Sequence, residues 1–154
     1  MRYAQNTLVS VEKSKAEIER MLARYGASQF VSGWMGSLAR IAFVACNRKI
    51  QFDLPLPDKN DKNLYLTPTG RTKKLDENSC YRLWEQACRQ RWRALALAIK
   101  AKLESVECEI STFEEEFYAH IVLPNGKTLY ESTRENLDLS YKTGKFKNLL
   151  EFNP

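Results

Sequence analysis

The chain lacks the features of a membrane-spanning or secreted protein. No run approaches the roughly 18 uncharged apolar residues that a membrane helix needs. The stretch MRYAQNTLVSVEKSK has no apolar signal core. Both classes are therefore disfavoured, and we expect a cytoplasmic protein.

Cysteine and histidine are too few, and too widely spaced, for a disulfide framework or a familiar zinc site. Cys46, Cys80, Cys88 and Cys108 show no CxxC spacing, and His120 is the one histidine. Their gaps do not match those of zinc fingers or ribbons. The sequence therefore predicts free thiols in a reducing compartment, with no metal and no cofactor.

Catalytic motifs are also missing. The chain has no GxSxG, no phosphate-binding P-loop and no HExxH. No obvious nucleophile or orienting carboxylate lies near His120 in the sequence, so we interpret it as a partly buried structural residue. The prediction is a non-enzymatic protein with no catalytic residue.

What the chain does have is enough apolar sequence for one core and an uneven charge distribution. Its 154 residues fit a single domain, 1–154, with a net charge of +5. Residues 71–102 hold nine Lys or Arg against three Asp or Glu, and residues 103–119 hold six Glu and no basic residue. A basic block next to an acidic block indicates a surface for a charged partner.

The N-terminal half reads as one helix and three strands. Ile18, Met21, Leu22 and Tyr25 share a helical face in a helix over 11–25. Either Ser10 or a Ser14-x-x-Glu17 capping box would begin it. Short apolar runs at 30–34, 38–46 and 50–54 are separated by turn residues, which predicts an antiparallel meander.

The second half reads as a loop followed by helices. A long basic, proline-containing loop occupies 55–76, with no helix or strand expected. An apolar seam predicts a helix over 77–107. Ser111 or Thr112 begins another helix, with a Thr112–Glu115 capping box and with Phe113, Phe117 and Ile121 on one face. Thr128 begins a capping box for a last helix that ends near Gly144. Residues 145–154 are expected to form a loose tail. The expected fold class is α+β: N-terminal helix, three-stranded antiparallel sheet, long helix, and one or two further C-terminal helices.

Four cations fall along one edge of the long helix and form what we name the cation row: Arg82, Arg89, Arg93 and Lys100. Arg71, Lys73 and Lys74 precede the helix. Guanidinium groups suit phosphate contacts, so these seven residues are the candidate site for nucleic acid or an acidic partner. The alternative is a solvated face that keeps the helix soluble.

The large aromatic residues allow two interpretations. Trp84 and Trp92 lie on the apolar seam, so we expect core positions rather than base stacking. The strand aromatics could form a stacking platform, but core packing is favoured because a helix-covered sheet face needs apolar residues: Phe30, Trp34, Phe43 and Phe52.

Six glutamates form an acidic segment that follows the basic block: Glu104, Glu107, Glu109, Glu114, Glu115 and Glu116. The last three favour the positive end of a helix dipole. The whole segment could instead contact a protein partner, which makes a protein-binding inhibitor the alternative function. The apolar seam could also support a homodimer.

Several stretches resemble a family of small uncharacterised phage and prophage proteins. They are SVEKSKAEIERMLARYGA (10–27), EQACRQRWRALALAIKAKLE (85–104) and TFEEEF (112–117), within a resemblance over about residues 3–128. The resemblance implies a phage protein in the host bacterial cytoplasm. It further implies a role in phage DNA metabolism or in countering host defence, the latter as an anti-CRISPR-like inhibitor.

Overall fold

The polypeptide alternates from helix to sheet and back to helix along its sequence. The computed structural model describes residues 4–67, 69–145 and 148–150. Its main elements are α1 Val11–Tyr25, β1 Gln29–Met35, β2 Leu38–Ala45, β3 Arg48–Pro55, α2 Glu77–Glu107, α3 Phe113–Phe117 and α4 Leu129–Thr143. The predicted α+β class and element order are confirmed.

Helix α1 begins at the earlier of the two predicted caps. The Ser10 side chain accepts a hydrogen bond from the Lys13 N–H at 3.2 Å. The Ser14–Glu17 box is wrong, because Ser14 is buried on the face that packs into the protein. At the other end Gly26, with φ +99°, adopts the left-handed conformation that a helix stop needs.

The three strands form the predicted antiparallel meander, in the order β1-β2-β3. Gly36 turns the first hairpin with a positive φ, and Cys46 and Asn47 both have positive φ in the second, as a type I′ turn requires. Alternate residues of β2 are buried, so one sheet face packs on the helices. Trp34 is an exception to the predicted core, since it is 76% exposed near the first hairpin.

Helices α1 and α2 lie side by side in the same direction. Thr7 lies beside Gln86, and Glu17 lies beside Arg93 further along both segments. The α2 seam buries Trp92, Ile99 and Leu103 against α1 and the sheet, so the predicted long helix and most of its core face are confirmed.

Helix α3 closes the core with two phenylalanines. Thr112 and Glu115 form the predicted capping box, and Phe113 and Phe117 are buried. The predicted helical position of Ile121 is wrong. A 3₁₀ turn over Tyr118–His120 ends the helix, and Ile121 instead forms an antiparallel bridge with Ile50 of β3.

Helix α4 begins at the predicted Thr128–Glu131 capping box and is followed by Gly144 in the left-handed conformation. Within this helix only Leu129 is buried, so most of its surface faces away from the core. The predicted tail 145–154 lies largely outside the described residues, since 146, 147 and 151–154 are not among them. No helix in the described ranges has the length and apolar character to cross a membrane.

Candidate nucleic-acid interface

The cation row on α2 is divided by contacts within the chain. Its two ends, Arg82 and Lys100, are exposed. Its centre is covered by the N-terminal segment and α1, which pack along the same edge of the helix. The row is therefore not a continuous open ridge.

The two central arginines are held by acceptors of this chain. Arg89 contacts Glu85 at 3.2 Å and donates to the Gln86 Oε1 at 2.7 and 3.0 Å. Arg93 pairs with Glu17 of α1. Each guanidinium already has a carboxylate, so a phosphate would have to compete for it. A role for Arg89 and Arg93 in binding stays a prediction.

The acidic segment is also divided. Glu114 pairs with Arg48 at 2.7 Å, Glu115 caps α3, and Glu116 accepts a hydrogen bond from Ser111 at 2.6 Å. Hydrogen bonds from Ser111 and Ser105 lower the pKa of Glu116. These three carboxylates have ion-pair or hydrogen-bond partners within the chain, whereas Glu104, Glu107 and Glu109 are exposed and form no ion pair among the described residues.

The remaining predicted cations lie in what we name the basic loop, residues 56–76. The loop is more ordered than the sequence predicts: it has a 3₁₀ turn over Lys62–Tyr65 and an antiparallel bridge between Leu66 and Thr72. The Asp61 side chain accepts from the Asn63 N–H at 2.9 Å, which begins the turn.

The three loop cations that the sequence singles out lie at or next to the bridge. The Thr67 N–H donates to the Arg71 carbonyl at 2.8 Å, and the Lys73 N–H donates to the Tyr65 carbonyl at 2.9 Å. Arg71, Lys73 and Lys74 are all exposed, and none of them forms an ion pair within the described ranges. Their backbone is fixed while their charged groups stay accessible.

A cleft of about 470 Å³ separates this loop from the first turns of α2. We name it the loop cleft. Its lining combines aromatic rings with polar and charged side chains: Lys59, Asn60, Tyr65, Glu77, Asn78, Cys80, Tyr81 and Trp84. That volume lies within the usual range for small-molecule sites.

The aromatic wall of the loop cleft is built by two residues of α2. The rings of Tyr81 and Trp84 are 5.6 Å apart, and the Lys59 ammonium lies 4.3 Å from the Trp84 ring centroid. The Trp84 indole N–H donates to the Pro57 carbonyl at 2.8 Å, which ties the loop to the helix. Trp84 is thus half-buried under the loop rather than in the core, contrary to the sequence prediction, whereas Trp92 is buried as predicted.

Sequence reasoning missed Lys59, Tyr65 and Tyr81 as site residues. Tyr81 and Trp84 are three apart just after the Asp76 cap, so they share a helix face at the loop junction. That three-residue spacing is the sequence signal that could have placed Tyr81 beside Trp84 in the site. The path of the loop, which brings Lys59 over both rings, is not encoded in any local pattern.

His120 is half-buried, as the sequence predicts, and stacks on Phe52 with ring centroids 3.9 Å apart. Burial, followed by the nearby Lys102 charge, lowers its pKa below the ordinary 6.5, although a hydrogen bond with the Gln51 backbone opposes this. A depressed folded pKa means that protonation favours the unfolded chain.

We therefore expect the free energy of unfolding to be highest above about pH 6.5 and to fall as the pH drops through the lowered pKa of His120. Urea unfolding at about pH 7.5 and about pH 5.5 measures this loss. His120→Phe keeps a ring on Phe52 but cannot titrate, so its stability should change less over that range. Equal losses in both proteins would assign the effect to other groups.

The four cysteines are unpaired: Cys88 is buried, and burial raises the pKa of its thiol. Cys46 and Cys108 are exposed, and Cys80 lines the loop cleft. No group of metal-ligating side chains is assembled among the residues that the structure describes.

Comparisons with protein-family models, with curated proteins and with solved structures find no match to this chain. The resemblance to phage and prophage proteins therefore stays a prediction. The loop cleft and the cations around it are the features of this chain that point to a function.

Proposed function

We propose that this protein binds single-stranded nucleic acid, without catalysing a reaction, at the loop cleft and the cations that border it. The observation that carries the proposal is the aromatic pair Tyr81 and Trp84 in an open cleft beside a basic loop. Single-strand binders combine these two features, because rings stack on bases while cations follow the phosphates.

The rings are accessible enough for stacking. The Tyr81 side chain is 52% exposed and lies on the cleft wall. Only part of the Trp84 ring is available, because the ring is half-buried under the loop and its indole N–H donates to the Pro57 carbonyl. Lys59 lies over both rings, at 5.4 Å from the Tyr81 centroid, and could contact a phosphate of the strand whose base stacks below it.

The charge around the cleft favours a polyanion. Residues 58–82 hold six Lys or Arg against four Asp or Glu. Three of those carboxylates accept backbone hydrogen bonds inside the loop or at the helix cap: Asp58, Asp61 and Asp76. The cations are exposed and form no ion pair with any residue that the structure describes: Lys59, Lys62, Arg71, Lys73, Lys74 and, near Asp76, Arg82.

A single strand suits this site better than a duplex. Bases in a duplex are stacked on one another and cannot reach rings inside a cleft, whereas an unpaired base can turn out of its strand. As part of the same proposal, the resemblance to phage proteins supports a setting in phage DNA metabolism or counter-defence, in the host cytoplasm.

The test is the affinity of the full chain for fluorescently labelled single-stranded DNA and RNA, measured by anisotropy. Tyr81→Ala should weaken binding about 5- to 150-fold, which corresponds to the loss of one base-stacking contact of about 1–3 kcal/mol. Duplex DNA of the same length should bind more weakly than the single strand.

Tyr118→Ala is the matched control, because Tyr118 is 58% exposed and lies away from the cleft after α3. It should bind like the unsubstituted chain. Equal affinity for Tyr81→Ala and Tyr118→Ala would remove the stacking role, and a chain that binds neither DNA nor RNA would remove the proposed function.

A further inference from the structure

Strand β1 is an uncovered sheet edge. It forms backbone pairs with β2 and with no other described segment. Six of its seven residues are exposed, among them Val31, Trp34 and Met35 at 66%, 76% and 80%. A strand that exposes apolar side chains together with unpaired backbone groups is a template for another strand.

The two edges of the sheet differ. The outer edge of β3 is partly covered, because Ile121 forms a bridge with Ile50 and the Val122 N–H donates to the Lys49 carbonyl at 2.8 Å. Strand β1, with the sequence QFVSGWM, has neither a charged residue nor a proline. The usual means of protecting an edge from pairing are therefore absent from β1.

The hydrogen-bond phase of the sheet shows which β1 groups point outward. The Leu56 N–H donates to the Ser37 carbonyl, so the backbone N–H and C=O groups of residues 37, 39, 41 and 43 point to β3. The backbone groups of the residues between them, 38, 40, 42 and 44, point to β1. The partners of those alternate residues are 29, 31, 33 and 35. The backbone N–H and C=O groups of Phe30, Ser32 and Trp34 therefore point to the open side.

We propose that β1 pairs antiparallel with β1 of a second copy of this chain, about a two-fold axis through Ser32, to form a continuous six-stranded sheet. This register uses all seven residues. The outward backbone groups of Ser32 pair with those of Ser32 in the second copy. Those of Phe30 pair with those of Trp34 in the second copy, and by symmetry this second pairing occurs twice.

The side chains in this register are self-complementary, which selects a second copy as the occupant. Phe30 lies opposite Trp34 of the second copy, on the sheet face that also bears the buried side chains of β2, and an aromatic pair of this kind stabilises neighbouring strands. On the other face, Val31 lies opposite Gly33 and Gln29 lies opposite Met35, so large residues face small or flexible ones. No like charges meet along the strand.

The experiment is the molar mass of the full chain by light scattering and sedimentation, after nuclease treatment so that nucleic acid cannot join two copies. We expect twice the 17.9 kDa of one chain at micromolar concentration. Ser32→Pro removes an outward N–H without breaking the β1–β2 ladder, so it should be a folded monomer. A monomeric unsubstituted chain, or a dimeric Ser32→Pro, would overturn the proposal.

Charge variants test the register independently of proline. Ser32→Lys and Ser32→Glu place like charges opposite each other at the axis, so each should be monomeric when alone. An equal mixture should form a heterodimer, because lysine then faces glutamate. A mixture that stays monomeric would overturn the Ser32 register. Ser32→Thr keeps the N–H and the neutral charge and should remain a dimer.

Discussion

Replacing Phe117 by alanine is expected to lower the free energy of unfolding by about 3–5 kcal/mol. The Phe117 ring is fully buried, meets the edges of Phe43 and Phe52, and stacks on Phe113 with centroids 4.6 Å apart. Its removal leaves a cavity where α3 packs on the sheet. The loss would be a large part of the stability of a typical domain, about 5–15 kcal/mol.

Urea denaturation followed by circular dichroism measures this loss. Phe117→Leu keeps most of the volume and should cost less than about 1.5 kcal/mol, and Tyr118→Ala, one residue on and exposed, should change stability by about 0.5 kcal/mol or less. A loss below about 1 kcal/mol for Phe117→Ala would mean that α3 does not close the core as described.

Removing three of the five cations of the basic loop together is expected to weaken binding of single-stranded nucleic acid about 100-fold at about 0.1 M salt. The triple variant is Arg71→Ala, Lys73→Ala and Lys74→Ala. Each exposed cation that neutralises a phosphate releases counterions. For single strands, each such contact makes the slope of log K against log salt concentration steeper by about 0.7. Anisotropy titrations at constant salt measure the affinity.

The control removes the same net charge elsewhere. Arg20→Ala, Arg24→Ala and Lys142→Ala change exposed cations of α1 and α4, which do not border the loop cleft. This variant should lose only the small, non-local part of the attraction. If both triple variants weaken binding equally, net charge rather than the basic loop governs the affinity.

The fold could be predicted from the sequence wherever periodicity and end signals agree. The seam from Trp84 to Val106 and the caps at Thr112 and Thr128 each specify a helix by themselves. Errors came where a local signal had a competitor. Ser14 begins a valid capping pattern with Glu17, but Ser14 is buried within the helix and the cap is Ser10.

The candidate site was less predictable, because its arrangement depends on contacts between distant residues. A helical wheel places Arg89 and Arg93 on the cation row correctly, yet it cannot show that Glu17, 76 residues earlier, reaches Arg93. In the same way, the spacing of Tyr81 and Trp84 is visible in the sequence, but the hydrogen bond from Trp84 to Pro57 and the position of Lys59 over the rings are not.

The salt dependence of single-strand binding measures how many phosphates the cations around the loop cleft contact. If the six exposed cations around the loop cleft each neutralise a phosphate, log K should fall against log salt with a slope of about −4, a loss of about 300-fold between about 50 mM and about 200 mM salt. The loop triple variant should show a slope of about −2. A slope near zero, or the same slope in both proteins, would mean that these cations do not bind the phosphates of the strand.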